Sequence, residues 1–378
     1  MRGQSHEMVQ LLTPDGQRID NDDFEFTGTT EDLVGYLRDM ILARRFDAEA
    51  TALQRHGELG MWPPLLGQEA AQVGSAHAVR PADVVFPSYR EHAVAMVLGV
   101  PLTNFIGLFR GIDHGNWGNL EKFKNYQIVI GCQTLQATGY AMGLQFDGVV
   151  GPDVEDPAAV IVYHGDGASS QGDVNEAYVF AASYNAPVVF FCQNNQWAIS
   201  EPIALQSRIP LYERARGFGF PGVQVDGNDV LAVKAVTDWA LDRARHGEGP
   251  TFIEAFTYRM GAHTTSDDPT KYRTGAEEEE WRGRDPISRL TTYLRNEGAI
   301  DDAWQARMDE EARQLGVEVR ASIPKLESVT MDRLFETVYA EPSVALEAQR
   351  REYNDYASDG EDEPGSLSGE SHEPSKGR

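Results

Sequence analysis

The amino-acid sequence predicts an α/β fold: a doubly wound, mostly parallel sheet flanked by helices, with a helical C-terminal part. Two short runs of β-branched and aromatic residues, 159–163 and 187–191, are typical of buried parallel strands. Between them, residues 175–184 carry apolar side chains at helical spacing. Strand, helix and strand form a βαβ unit, and the same alternation continues along the chain.

The chain before this unit divides into an arm and the beginning of the domain. Residues 1–28 are largely polar and include an acidic run, so they are expected to form a flexible N-terminal arm. Thr29 and Asp32 have the spacing of a capping box, which predicts that a helix begins there. The sequence therefore places one large α/β domain at residues 29–350, long enough to bury a sizeable core.

The chain after this unit continues the alternation and then becomes helical. Residues 222–226 and 251–257 are predicted strands, and residues 229–246 between them form a predicted helix. Residues 276–350 are charged and helical in character, as expected for an outer or subunit-facing layer. Residues 357–378 are rich in Ser, Gly, Glu, Asp and Pro, which predicts a disordered acidic tail.

The charge of the chain restricts its partners and its environment. The formal net charge is −26, and only six of the 33 basic residues are lysines. Such an acidic surplus suggests a salt-adapted protein, because high ionic strength screens self-repulsion over a few ångströms. The same charge argues against nucleic-acid binding.

Cysteine usage and hydropathy narrow the class of protein further. The two cysteines, Cys132 and Cys192, lie in apolar segments, which argues against a disulfide framework and a zinc site. No apolar run is long enough to cross a membrane, and the polar start does not resemble a signal peptide. A cytoplasmic enzyme without membrane contact is therefore expected.

Two polar motifs follow the two strands of the βαβ unit. Gly165-Asp166-Gly167 comes after the first strand, and Asn194-Asn195 comes after the second. Because parallel strands end at one edge of a sheet, Asp166 and Asn195 are expected to face each other there. Carboxylate and amide oxygens suit Mg²⁺ that also binds phosphate, and the glycines let backbone approach a phosphate closely. Purely structural turns are the alternative interpretation.

The Gly-Asp-Gly and Asn-Asn pair, separated by residues 168–193, resembles the signature of thiamine diphosphate enzymes. The continuation Gln-Asn-Asn-Gln-Trp-Ala-Ile-Ser at residues 193–200 narrows the resemblance. It is similar to the α subunit of the E1 component of 2-oxo acid dehydrogenase complexes, of the pyruvate and branched-chain types. The resemblance covers about residues 30 to 350. It implies the thiamine diphosphate-binding fold, with thiamine diphosphate and Mg²⁺ as cofactors.

Three further segments support the resemblance. Residues 87–92 contain Ser-Tyr-Arg, similar to the family segment whose Tyr and Arg contact the cofactor diphosphate. Residues 67–70 match the family's Gly-Gln-Glu-Ala element on an early helix. Residues 128–133 match the segment that passes the aminopyrimidine ring, with Ile130 as the apolar support of the bent cofactor. The resemblance implies these cofactor-binding residues: Tyr89, Arg90, Ile128, Ile130, Gly165, Asp166, Gly167, Ala168, Asn195 and His263.

A loop at residues 258–269 is the most specific of the remaining matches. Its histidine lies at the active-site mouth in the family, so the resemblance implies that His263 is catalytic and helps receive the lipoyl arm. An ordinary histidine pKa would suit an acid/base at that position. Ala262 stands where many branched-chain relatives have a second histidine, and Thr264 where animal relatives have a phosphorylated serine. The implied Mg²⁺ ligands are Asp166, Asn195 and the backbone carbonyl of Trp197.

One group that the cofactor requires is expected on another chain. In the family, the glutamate that activates the aminopyrimidine belongs to the β subunit. The resemblance therefore implies an E1 β partner in an α₂β₂ heterotetramer, with a lipoyl-bearing E2 as a further partner. The substrate is expected to be a small 2-oxo acid.

Several functions are compatible with these patterns. Ala262 and the run 268–273 favour pyruvate as the substrate. A branched-chain 2-oxo acid dehydrogenase is the nearest alternative, followed by an acetoin-cleaving relative. A nucleotide-binding dehydrogenase is disfavoured because Gly-x-Gly-x-x-Gly follows no predicted strand. A non-catalytic assembly subunit is disfavoured because Asp166, Asn195 and His263 are all present.

Overall fold

The computed structural model describes residues 7–112, 122–126, 128–327, 330–336 and 338–359. These fall into two compact units, residues 1–326 and 327–378, and each is described by itself. The domain predicted at residues 29–350 thus ends near Leu326 in the structure. Among the described residues, no helix is long and apolar enough to cross a membrane.

Helices and strands alternate through the first unit. Its helices are α1 (Thr30–Arg55), α2 (Glu69–Ala76), α3 (His92–Val97), α4 (Leu102–Arg110), α5 (Cys132–Phe146), α6 (Gly172–Tyr184), α7 (Ile203–Gln206), α8 (Tyr212–Phe218), α9 (Val230–Arg245), α10 (Gly275–Arg282), α11 (Pro286–Asn296) and α12 (Asp302–Ser322). Its strands are β1 (Val84–Phe86), β2 (Val160–Gly165), β3 (Val188–Asn194), β4 (Trp197–Ala198), β5 (Glu201–Pro202), β6 (Gly222–Asp226) and β7 (Thr251–Phe256). Short 3₁₀ helices cover Gly167–Ser170, Pro269–Lys271 and Ile323–Lys325.

Five of these strands form one parallel sheet in the order β1-β2-β3-β7-β6. In β2 and β3, Val160 pairs with Val188 and Gly165 pairs with Gln193, so the two strands end at the same level. Strand β7 lies on the other side of β3. The loops that follow β2, β3 and β7 therefore leave from one edge, where α/β proteins bind ligands.

The sheet is buried on both faces, which confirms the doubly wound architecture. Along β3, Val189 and Phe191 belong to the core that α1, α2, α9 and α11 form with the sheet. The alternate residues Val188 and Phe190 belong to a second core, shared with α5, α6 and α8. Burying each such side chain contributes about 1.5–3 kcal/mol, so the β2–β3 pair is a rigid support for the loops beyond it.

The helix starts predicted from the sequence are confirmed. Thr29 precedes α1, and its hydroxyl accepts from the Asp32 N–H at 3.2 Å while the Asp32 carboxylate accepts from the Thr29 N–H at 2.7 Å. Asp229 caps α9 by accepting the N–H groups of Leu231 and Ala232, and the predicted strands 222–226 and 251–257 correspond to β6 and β7.

The N-terminal segment differs from the expected flexible arm, because residues 8–28 pack onto the domain. Val9 forms a parallel bridge with Val225 of β6, so the segment extends the sheet edge. The N–H groups of Leu11 and Leu12 donate to one carboxylate oxygen of buried Asp229, at 2.7 and 2.6 Å. The leucines are buried in the core. The sequence of this segment looks flexible because the residues that hold it in place, Val225 and Asp229, lie more than 200 positions later.

The second unit contains α13 (Met331–Glu336) and α14 (Val344–Asp359). Within it, Arg350 lies 3.6 Å from Asp332, and the rings of Phe335 and Tyr353 are 6.4 Å apart. The helical character predicted for this region is confirmed. Of the tail predicted at residues 357–378, the first three residues belong to α14, and the rest lies outside the described residues.

Candidate active site

The two polar motifs meet at the end of β2 and β3, as predicted. Asp166 follows β2 and is 1% exposed, and Asn195 follows β3 and is 7% exposed. The Asp166 carboxylate accepts from the Gln206 amide at 2.9 Å. Burial raises the pKa of Asp166, although Gln206, Arg259 and the Asn195 N–H oppose the rise. A buried carboxylate of this kind is stabilised in its charged form by a cation.

The turn after Asp166 approaches the opposite loop closely. A Cβ on Gly167 would lie 2.8 Å from the Cβ of Ala198, so glycine is needed for this approach. The opposite loop contains two left-handed non-glycine residues, Gln196 at φ 71° and Ile199 at φ 56°. Such a conformation is strained for a β-branched residue, and strain of this kind concentrates at functional sites. The Gln196 amide donates to the Thr257 carbonyl at 2.8 Å, which holds the loop in place.

The three residues expected to bind the metal, Asp166, Asn195 and Trp197, line the same cleft beside this turn. The Asn195 side-chain oxygen accepts from the Trp197 N–H at 3.3 Å, which links the second and third expected ligands. The Trp197 carbonyl accepts from Arg259 at 2.8 Å and retains a second lone pair. One carboxylate, one amide oxygen and one carbonyl are hard donors that fit Mg²⁺ completed by phosphate and water. Within the described ranges, no group of three or more His, Cys, Asp or Glu residues could hold a metal, so this set does not resemble a zinc centre.

Two buried guanidinium groups form the other side of the cleft. Arg90 is 5% exposed and Arg259 is 0% exposed. In the part of the chain that the structure describes, neither forms an ion pair with a carboxylate, and the Arg259 Nε has no hydrogen-bond partner. Burial, followed by the nearby Arg90, lowers the pKa of Arg259 to about 10. Buried charges that form no close ion pair are costly, so this pair fits an anion such as a diphosphate.

Carbonyl oxygens hold the two arginines in position. Arg90 donates to the carbonyls of Pro64 at 2.5 Å and His263 at 3.0 Å. Arg259 donates to the Ile199 carbonyl at 2.8 Å and to the Tyr272 hydroxyl at 3.1 Å. Both heads are therefore fixed before any ligand binds, which reduces the entropy lost on binding.

His263 lies between these arginines, and its environment differs from the sequence-based expectation. Its Nδ1 is 3.2 Å from an Arg259 nitrogen and 3.4 Å from an Arg90 nitrogen. Burial, with Arg90 and Arg259, lowers the pKa of His263 to about 3. The expectation of an ordinary pKa is wrong for this geometry. The ring is neutral at pH 7, with Nδ1 accepting from arginine and the proton on Nε2.

The other expected cofactor contacts occupy the same cleft, with one exception. The cavity has a volume of about 240 Å³, and Tyr89, Ile130, Gly165 and Ala168 line it together with the residues described above. The Tyr89 ring lies 6.1 Å from the His263 ring, edge to face. Ile128 is half-exposed and does not belong to the lining, whereas Val129 does.

Sequence reasoning missed a polar network below Arg90. The Gln193 amide donates to the buried Glu91 carboxylate at 2.7 Å and accepts from Gln72 at 3.1 Å. Gln72 also donates to the Arg90 carbonyl at 2.9 Å. Burial raises the pKa of Glu91. The network ties α2 and β3 to the loop that carries Arg90, and no local sequence signal shows contacts between such distant segments.

Gln68, Gln133 and Arg259 are further lining residues to which the sequence assigned no role. Gln68 and Arg259 lie within matched segments, 67–70 and 258–269, so the signal for them was present but unassigned. Two other histidines are structural: His92 stacks on Trp62 with ring centroids 4.2 Å apart, and burial lowers the pKa of His164 to about 4. His114 lies outside the described residues.

Comparison with known proteins decides the family. A model of the family described as "Dehydrogenase E1 component" matches residues 37–325. The chain belongs to the dehydrogenase E1 component family. It is 42% identical over 352 residues to the 3-methyl-2-oxobutanoate dehydrogenase subunit alpha of Mycobacterium tuberculosis, covering 92% of this chain and 93% of the relative. It is 38% identical over 355 residues to the pyruvate dehydrogenase E1 component subunit alpha of Staphylococcus aureus, with the same two coverages.

Membership establishes the general function of the chain. The chain is an E1 α subunit of a 2-oxo acid dehydrogenase, an oxidoreductase that decarboxylates 2-oxo acids. The family implies thiamine diphosphate as the cofactor and partnership with a β subunit and an E2 component. The relatives are of both the branched-chain and the pyruvate type.

Proposed function

We propose that this E1 α chain binds thiamine diphosphate through Mg²⁺ and, with an E1 β subunit, oxidatively decarboxylates a small 2-oxo acid. The acyl group is then passed to the lipoyl arm of E2. One observation carries the proposal: buried Arg90 and Arg259 stand in one cleft with the oxygen donors of Asp166, Asn195 and Trp197. A set of hard oxygens beside two buried cations that form no ion pair with a carboxylate of the described residues suits a metal–diphosphate unit.

Each residue of the cleft has a distinct role in this proposal. Asp166, Asn195 and the Trp197 carbonyl hold Mg²⁺. Arg90 and Tyr89 contact the diphosphate, and the turn at Gly167 and Ala168 offers backbone N–H groups to it. When bound, the thiamine group supplies the electron sink for decarboxylation, while the protein supplies position and proton control.

His263 controls a proton at the mouth of the cleft. Its neutral ring accepts at Nδ1 and can donate from Nε2, so it can hold a proton against a developing negative charge. Burial, together with the positive field of Arg90 and Arg259, lowers the pKa of His263 and keeps the ring neutral. Because an anion between the arginines would offset that field, we expect the pKa of His263 to rise when the diphosphate binds.

An exposed apolar face beside the cleft supports a β partner in an α₂β₂ heterotetramer. The face continues from the lining segment onto α5 and α6. Its exposed apolar residues are Ile128, Val129, Ile130, Leu135, Tyr140, Phe146, Val179, Phe180 and Tyr184. Several large apolar side chains exposed on neighbouring helices are typical of interaction sites on soluble proteins. A subunit seated there would cover the cleft and supply the activating carboxylate that the family resemblance assigns to the β subunit.

Two substrates remain as candidates. Pyruvate is favoured by Ala262 and the run at residues 268–273. The greater identity to the Mycobacterium tuberculosis relative favours 3-methyl-2-oxobutanoate.

A substrate panel on the co-expressed αβ assembly tests the proposal. We expect reduction of an artificial electron acceptor with pyruvate, 3-methyl-2-oxobutanoate or both, dependent on thiamine diphosphate and Mg²⁺. No turnover with any short 2-oxo acid would contradict the proposal.

The charge of −26 further leads us to propose salt adaptation. Full activity and an intact fold after dialysis to low salt would refute that part alone.

A further inference from the structure

The side chain of Gln68 is buried against the proposed metal site. It is 0% exposed and lines the cleft beside Asn195. Its amide oxygen accepts from the Asn195 Nδ2 at 3.2 Å. Gln68 precedes α2 as its N-cap, yet its side chain makes no capping hydrogen bond. The helix start therefore does not explain the orientation of this side chain.

The turn that carries Gln68 is fixed from both sides. The Gly67 N–H donates to the Glu69 carboxylate at 3.0 Å, and the Gly67 carbonyl accepts from the Thr257 hydroxyl at 3.0 Å. Gly67 has a φ of +96°, and a Cβ there would collide with the Tyr258 carbonyl. Gln68 is thus held at a constant position relative to the end of β7.

This contact and the Trp197 N–H together fix the orientation of the Asn195 amide. Because Gln68 presents an acceptor, Asn195 turns its NH₂ group toward Gln68 and its oxygen away, toward the Trp197 N–H. If the contact were lost, the amide could flip and present NH₂ to the cation. Partners behind a metal ligand set its orientation in this way, and their loss typically weakens metal binding about 10- to 100-fold.

The second polar atom of Gln68 also points to a ligand. The Gln68 Nε2 is buried and has no hydrogen-bond partner in the described parts of the chain. A buried donor without a partner costs about 1–3 kcal/mol, so an oxygen acceptor in the cleft is expected to satisfy it. Under the proposed function, the oxygens available there belong to the metal–diphosphate unit.

We propose that Gln68 is a positioning residue that orients the Asn195 amide through its oxygen and donates to the diphosphate through its Nε2. The inference rests on the proposed function and assigns a role to the Gly-Gln-Glu-Ala element. In this proposal, the Gln68 amide oxygen supports metal binding through Asn195, and the Gln68 Nε2 binds the anion.

Two variants separate these two roles. Gln68→Met keeps the shape and removes both polar atoms, whereas Gln68→Glu keeps an acceptor for Asn195 but loses the donor. In the αβ assembly, we measure Mn²⁺ affinity by electron paramagnetic resonance at saturating thiamine diphosphate, and thiamine diphosphate affinity by calorimetry at saturating Mg²⁺. We expect Gln68→Met to weaken Mn²⁺ binding by about 10-fold or more. Gln68→Glu should retain Mn²⁺ affinity but lose thiamine diphosphate affinity, because a carboxylate replaces a donor beside an anion.

The same substitutions at Gln314, an exposed residue of α12, are the matched controls and should change neither affinity. Thermal unfolding of all four variants checks that they fold. Wild-type Mn²⁺ affinity in Gln68→Met, or equal losses of Mn²⁺ affinity in both Gln68 variants, would overturn the role of Gln68. If the wild-type assembly itself failed to bind thiamine diphosphate with a divalent cation, the proposed function would fall first and the inference with it.

Discussion

At the scale of single residues, the site depends on charges held close together before a ligand arrives. Arg90 and Arg259 approach the same nitrogen of His263, and neither has a carboxylate partner among the described residues. The sequence identified His263 and Arg90 but not the effect of one on the other. A pKa depends on burial and on distant neighbours, so motif spacing alone could not have predicted a value of about 3.

Replacing His263 tests its role in acyl transfer. His263→Ala should spare decarboxylation with an artificial electron acceptor but impair lipoyl acylation by roughly 100-fold, a typical loss for an acid/base group. His56→Ala, at an exposed histidine, is the control and should change neither assay. Equal loss in both assays would instead give His263 a role in cofactor binding or decarboxylation.

The lowered pKa of His263 also makes the stability of the folded chain depend on pH. Because the folded pKa of about 3 lies below the ordinary value of 6.5, the unfolded chain binds more protons between these values. The contribution of His263 to stability is therefore intact above pH ~6.5 and is lost as pH falls toward 3. Nuclear magnetic resonance of the cofactor-free assembly should show no titration of this ring between about pH 5 and 8. A midpoint near 6.5 would contradict the described geometry.

At the scale of elements, the sequence predicted local structure well and long-range pairing poorly. The capping box at Thr29, the helix after Asp229 and the strand at residues 222–226 follow from neighbouring residues, and all three are present. The N-terminal segment was expected to be flexible, because its binding to β6 requires residues that are far away in sequence. Gln68 was unassigned for the same reason.

Asp229 takes part both in local structure, as the cap of α9, and in the long-range contact with the N-terminal segment. Its substitution therefore tests the packing of that segment. Its carboxylate accepts four backbone N–H groups, from Leu11, Leu12, Leu231 and Ala232. An asparagine offers only one oxygen and places NH₂ against buried donors. We therefore expect Asp229→Asn to lower the free energy of unfolding by about 2–4 kcal/mol, measured by urea titration.

Asp301→Asn is the matched control, since exposed Asp301 caps α12 through the Trp304 N–H and asparagine caps equally well. A change below about 0.5 kcal/mol is expected for it. If Asp229→Asn were equally neutral, the N-terminal segment would not be held as the structure shows.

At the scale of the whole molecule, one sheet edge gathers residues from distant parts of the chain. The ends of β2 and β3 supply Asp166 and Asn195, and the loop after β7 supplies Arg259 and His263. The strand pattern predicted that edge and the presence of Asp166 and Asn195 on it. It could not predict the arginine pair, which depends on how the loops fold over the sheet. The exposed apolar face beside the cleft is consistent with a site completed by a second chain.

Calorimetric titration of thiamine diphosphate into the αβ assembly, with Mg²⁺ present, tests the central claim most directly. Asp166→Ala removes the only carboxylate among the proposed metal ligands and should abolish Mg²⁺-dependent binding. Asp173→Ala, at an exposed carboxylate in the first turn of α6, is the matched control and should bind like the wild type. Unchanged affinity in Asp166→Ala would contradict the assignment of the metal–diphosphate site.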